Sequence, residues 1–172
     1  MNKLIVLIGR PGSGKTYLSE HFIKENLEFK LFDIDTHIQE IKSEIGDVPE
    51  NMTMGAYEEL YESFKDNTSN ILLEIGLNHP EFNLNKFKEL SNKYEVSLVW
   101  CLLDPKICFE RSMERVKQDK SKLFINPKDL RRRLKRVFPD NHIKQADEIG
   151  LKHYSMDMQE PLEKRIKFLK TL

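Results

Sequence analysis

The segment Gly9-Arg10-Pro11-Gly12-Ser13-Gly14-Lys15-Thr16 constrains this chain more tightly than any other, because it has the form G-x-x-x-x-G-K-[ST] between two very different neighbours. Before it runs Leu4–Ile8, short, apolar and β-branched; after it, Leu18 and Phe22 fall four apart, the spacing of one helix face. Strand, glycine loop and helix in that order form the context in which the pattern cradles phosphate. Glycines let the backbone curl so that successive N–H groups and the positive helix end point at phosphate oxygens. Lys15 is then expected to reach β- and γ-phosphates and Thr16 to ligate Mg²⁺. Gly9, Pro11, Gly12, Ser13, Gly14, Lys15, Thr16 and Tyr17 are the expected nucleotide contacts. The competing reading is a glycine-rich turn that binds nothing.

Beyond the loop, the apolar runs Glu28–Phe32, Ile71–Ile75, Val96–Leu103 and the weaker His153–Met156 read as further strands. Between them, Tyr57/Tyr61/Phe64, Leu84/Phe87/Leu90, Leu130/Leu134/Val137 and Leu162/Ile166/Leu169 have helical spacing. Asp104-Pro105 and Asn126-Pro127 each set a capping residue before a proline suited to the first helical position. Alternating strands and helices predict an α/β fold with a five-stranded parallel sheet covered on both faces. At 172 residues the chain is expected to form a single domain over 1–172. Its 28 Lys and Arg balance 28 Asp and Glu, so no net charge draws it to nucleic acid or membrane. Two cysteines without metal spacing, and a Met1–Ile8 run too short for a signal core or a bilayer span, make the cytoplasm the expected location.

A GTPase reading needs a base-reading Asn-Lys-x-Asp after a later strand, and Asn92-Lys93-Tyr94-Glu95 ends in Glu and precedes a strand. On the loop and the element order the chain resembles the small P-loop kinases, the group of shikimate, gluconate, adenylate and polynucleotide kinases and the zeta-toxin-like proteins. That resemblance implies a three-layer P-loop NTPase with strand order 2-3-1-4-5, ATP and Mg²⁺ as cofactors, and a basic lid. Phe32-Asp33-Ile34-Asp35 ends the second strand, and strand residues two apart face the same way, so both carboxylates are expected at the carboxyl edge beside the loop. The pair looks like the Asp-x-Asp of shikimate kinases, which implies that Asp33 serves the metal through water and Asp35 the acceptor hydroxyl. Helix capping by Asp35 or Thr36 is the alternative. Cys108–Arg115 is similar to the helix after the fourth strand in these kinases, which implies that Arg111 stacks on the adenine and Arg115 reaches the transferring phosphate. Two arginines on a solvated helix face are the alternative. Arg111–Arg136 carries eleven Lys and Arg against three acids, a balance of +8, and resembles a lid spanning about 111–138.

Glu74 interrupts an apolar strand and is expected either near the acceptor, as in zeta-toxin-like kinases, or as a metal carboxylate, or at a solvated strand end. The acceptor region, about 33–95, holds fourteen acids against five lysines, a balance of −9, and no arginine occurs between Arg10 and Arg111. Nucleotide and shikimate kinases hold an acceptor phosphate or carboxylate with arginines from that part of the chain. The expected acceptor is therefore a small uncharged or amine-bearing alcohol, unless the acids only coat outward helix faces. A polynucleotide 5′-hydroxyl kinase, a nucleotide or shikimate-type kinase, and a regulatory ATPase without an acceptor remain the other readings, so nucleic acid stays open as a partner.

Overall fold

Strand residues alternate between the two faces of a sheet, and in this chain each face has its own core. The structure is a computed structural model that describes residues 1–46, 53–118, 127–135 and 140–172. The elements run β1 (Asn2–Gly9), α1 (Lys15–Glu25), β2 (Phe29–Asp33), α2 (Ile34–Ile45), α3 (Thr53–Glu62), β3 (Asn70–Ile75), α4 (Pro80–Leu90), β4 (Tyr94–Leu102), α5 (Pro105–Gln118), α6 (Pro127–Leu134), α7 (Asp140–Glu148), β5 (Lys152–Asp157) and α8 (Leu162–Thr171). Five parallel strands lie in the order β2-β3-β1-β4-β5, the P-loop NTPase arrangement. Leu4, Val6 and Ile8 of β1 pack with Ile71, Leu73 and Ile75 of β3 beneath α2, α3, α4 and α7. Ile5 and Leu7 turn the other way, with Leu72 and Val99, beneath α1, α5, α6 and α8.

The five expected strands are all present, their ends displaced by one or two residues. Asp104 caps α5 as expected, its Oδ1 accepting from the Lys106 N–H at 2.7 Å, and Pro105 is the first helical residue. Pro127 opens α6; Asn126 and Val137 lie outside the described residues. α7 went unread in the sequence, and α2 entered only as the helix that Asp35 or Thr36 would cap. In α2 the signal was present as Ile34, Ile38 and Ile41, but it begins one residue after the strand ends and was absorbed into the Asp-x-Asp reading. Both cysteines are free and buried, and burial pushes the Cys101 thiol up to about 12. Among the described residues no helix is long and apolar enough to cross a membrane.

One polar contact ties the base of the acceptor-side helices to the sheet. Tyr94 is fully buried at the start of β4, and its hydroxyl reaches the carbonyls of Phe64 at 2.9 Å and Asn67 at 3.0 Å in the turn before β3. Tyr94→Phe removes that donor and leaves buried acceptors behind, so urea unfolding should show a loss of about 1–2 kcal/mol with an unchanged m-value.

Candidate active site

The phosphate loop leaves β1 at Gly9 and returns to regular structure at Lys15. Two glycines make the turn possible: Gly12 has φ +77° and Gly14, the residue before α1, φ +94°, both in the left-handed region that side chains disfavour. Gly12 is also required by packing, because a Cβ there would lie 2.4 Å from the Cys108 carbonyl oxygen and 2.6 Å from Ser112 Oγ. The loop thus rests directly on the backbone of α5. Ser13 is buried, and among the described residues its hydroxyl has no hydrogen-bond partner and no side chain caps α1. Lys15 Nζ donates to the carbonyls of Gly9 at 2.8 Å and Arg10 at 3.2 Å. Pro11 and Tyr17 are exposed, the Tyr17 ring lying 4.3 Å from that of His21.

Behind the loop lies the residue whose placement the sequence left open. Leu72 and Glu74 share a strand parity, which turns Glu74 toward α1 and away from Ile71, Leu73 and Ile75. It is 2 % exposed, which removes the solvated strand-end reading. Thr16 Oγ1 donates to its Oε2 at 2.9 Å, and the Ser19 hydroxyl makes a short hydrogen bond to its Oε1. Burial raises the Glu74 carboxyl above its ordinary range and the nearby Asp33 carboxylate adds to this, while the Ser19 hydrogen bond, the Lys15 charge and the Thr16 hydrogen bond oppose it. Ser19 was missed in the sequence, although its place three residues after Thr16 sets both hydroxyls on one face of α1.

Asp33 pairs with Glu74 in the sheet register and is half-buried. Here the geometric premise of the Asp-x-Asp reading is corrected: the strand ends at Asp33, and Asp35 belongs to the first turn of α2. The cap is Asp33 itself, not Asp35 or Thr36, its carboxylate accepting from the Asp35 N–H at 3.1 Å and from Thr36 Oγ1 at 2.9 Å. Asp35 is exposed, yet close enough to the buried Tyr57 hydroxyl to be the larger of two carboxylate influences that push the Tyr57 pKa upward, behind burial.

On the far side of the loop, Arg111 Nη1 is 3.7 Å and Met158 Cε 3.8 Å from the position a Gly14 Cβ would take. Arg115 is exposed one turn further along α5. Arg10, inside the loop, is buried and points to α6, its Nε donating to the Leu134 carbonyl at 3.1 Å. Arg131 of α6 lies 4.8 Å over the Phe109 ring of α5. Of the expected lid, 119–126 and 136–138 lie outside the described residues. Among described acids of the acceptor region, Glu74 alone is buried and Asp33 alone half-buried. The acidity there is chiefly a property of outward helix surfaces.

No family model matches the chain, and no curated protein matches it in sequence. Solved structures do match in fold. A protein from Chloroflexus aurantiacus described as a kinase superposes with a TM-score of 0.74 at 16% identity, covering 99% of this chain and 94% of that one. The chain has the fold of the small P-loop kinases. Shikimate kinase from Acinetobacter baumannii gives 0.64 at 18% identity, with 99% and 94% covered. Deoxyadenosine kinase from M. mycoides gives 0.59 at 14% identity, with 98% and 97% covered. Within this P-loop kinase fold, the described residues bring no three His, Cys, Asp or Glu together as a metal cluster. A divalent ion held here would depend on hydroxyl, phosphate and water oxygens with few carboxylates, a donor set that suits Mg²⁺. The unpartnered Ser13 hydroxyl and the uncapped α1 start fit a phosphate group equally well.

A carboxyl whose pKa is raised on folding adds stability below its unfolded pKa and loses it as pH rises through the folded value. Glu74→Gln, which cannot ionise, should therefore melt at a higher temperature than the native chain near neutral pH. The gap, followed by calorimetry, should shrink as pH falls toward 4.

Proposed function

We propose that the chain is an ATP-dependent phosphotransferase that moves the terminal phosphate of ATP to a hydroxyl of a small, uncharged acceptor. The observation that carries this reading is the Thr16 hydroxyl, committed as donor to Glu74 at 2.9 Å at the mouth of the phosphate loop. A hydroxyl fixed in that role keeps its lone pairs for a cation, and the carboxylate behind it makes the oxygen a better ligand. Thr16 and, through water, Asp33 are the residues that would hold Mg²⁺, which when bound offsets charge on the phosphate oxygens. Glu74 is better suited to this metal side than to the acceptor, since its two oxygens are already taken by α1 hydroxyls.

Lys15 takes the β- and γ-phosphates by exchanging two loop carbonyls for stronger anionic partners. Arg111, beside Gly14, serves the base side of the nucleotide, and Arg115, on the same helix, the transferring phosphate. Asp35 orients the acceptor hydroxyl and receives its proton. Most of the rate then comes from positioning and charge neutralisation. The absence of arginine between Arg10 and Arg111 disfavours an acceptor held by its phosphate or carboxylate.

The test is ADP release from ATP·Mg²⁺, alone and with nucleosides, sugars, amino alcohols, aminoglycosides and 5′-hydroxyl oligonucleotides. Stimulation by one class is expected; steady turnover that no compound changes would instead mark a regulatory ATPase. Lys15→Ala should lose phosphoryl transfer by orders of magnitude with an unchanged circular dichroism spectrum. Asp35→Asn should lower turnover by roughly 10²–10⁴-fold while the Kd for ATP moves little; a Kd effect larger than the turnover effect would transfer Asp35 to the nucleotide.

A further inference from the structure

On the sheet face opposite α1, a small cavity opens at the carboxyl edge immediately before the phosphate loop. Its floor is Ile8, Ile75 and Trp100, which are register partners, so it begins one residue from Gly9. Leu84 and Phe87 of α4 form one wall and His142 of α7 another. Among the described residues, no Lys, Arg, Asp or Glu lines it. The buried Asn83 amide at its side is occupied within the protein, accepting from the Tyr61 hydroxyl at 2.7 Å and donating to the Asn78 carbonyl at 2.9 Å. The described lining therefore offers apolar contact and no carboxylate or Lys/Arg charge, and an ionic group placed against it would lose its hydration without compensation.

Two observations connect this cavity to the acceptor. Gly76 lines it two residues past Glu74, whose register partner Asp33 caps the helix that carries Asp35, so the cavity and the proposed acceptor carboxylate lie at the carboxyl ends of neighbouring strands. Gly76 also lacks the reasons that hold Gly12 in place: its φ is not positive, and a Cβ there would meet nothing within 4 Å among the described residues. Glycine at this point leaves open space that neither backbone nor packing requires.

We propose that this cavity is the specificity pocket for the acceptor and that it takes the apolar edge of an uncharged alcohol, a methyl group or a ring edge, with the hydroxyl turned toward Asp35. At about 20 Å³ the enclosed part holds little more than one water-sized group, so it reads an edge and leaves the body of the acceptor at the mouth. Polyols and cations are selected against, because the walls supply neither hydrogen-bonding partners in number nor a carboxylate. The hydroxyl's orientation rests on the phosphotransferase reading; the pocket's preference for an apolar edge does not.

Trp100 is the only tryptophan in the chain and stands in the pocket floor, so its emission reports occupancy without any catalysis. The probes are thymidine, deoxyuridine (thymidine without its methyl), 2-phenylethanol, glucose, ethanolamine and kanamycin, each titrated with ADP·Mg²⁺ present. Expected is a saturable emission change with thymidine or 2-phenylethanol, deoxyuridine weaker than thymidine, and none with glucose, ethanolamine or kanamycin. Gly76→Val, which adds three carbons where even one methylene group in an apolar pocket counts for roughly tenfold or more, should weaken that response by at least as much, with the Kd for a fluorescent ADP analogue unchanged. Gly76→Ala, smaller, serves if the valine variant misfolds. A response confined to glucose or the amines, one that both Gly76 variants keep, or none at all overturns the proposal. ADP release on the same samples is scored separately: emission changes without acceptor-stimulated release would retire the phosphotransferase reading and leave the pocket in place.

Discussion

A carboxylate sealed between a parallel sheet and the helix that begins at the phosphate loop is the feature on which the site depends. Glu74 occupies a strand position where an aliphatic side chain would be cheaper to bury, and it is tolerated because α1 supplies two hydroxyls to it. The bonds work in both directions. They satisfy the buried acid, and they fix the rotamers of Thr16 and Ser19, so the first turn of α1 is locked to β3. Removing the acid relieves a desolvated charge and releases that lock at once, and this is the usual relation between stability and function at a site built on a strained charge.

The front of the loop is set by a different means. Gly12 brings backbone against the backbone of α5, and Gly14 turns the chain into α1, so the loop takes its shape from packing before any phosphate arrives. Arg10 extends the same idea outward, since its hydrogen bond to the Leu134 carbonyl joins the loop to the last turn of α6. Arg10 thus serves architecture, and Lys15, held by two loop carbonyls, is the loop's cation for phosphate in the proposed reading.

Much of this was legible in the residues. Strands were visible because both faces of a parallel sheet are buried, so each strand is a bounded apolar run. The loop was visible because its chemistry demands glycines at fixed spacing. The direction of Glu74 was available too, from the parity of Ile71, Leu73 and Ile75 against Leu72, but parity names a face and not the partner that will occupy it. Where β2 stops was not legible: Asp33 caps a helix that starts at the next residue, and alternation stops applying there. Met158 and Gly76 were invisible for a plainer reason, since each matters through contacts made across more than sixty residues of chain or through space left empty.

The strand order has a consequence for how the chain comes together. β1 lies in the middle of the sheet, and its two neighbours are β3 and β4, so Leu4 waits for Ile71 and Asn2 for Tyr94. At about 5–20 residues per second, a ribosome needs several seconds to deliver the first of those partners. Until then an apolar strand and its glycine loop have no sheet to join, and the nascent chain is a client for whatever shields such segments. The phosphate loop therefore gains its setting at the sheet edge only after β3 and β4 have been made, well after its own residues leave the ribosome.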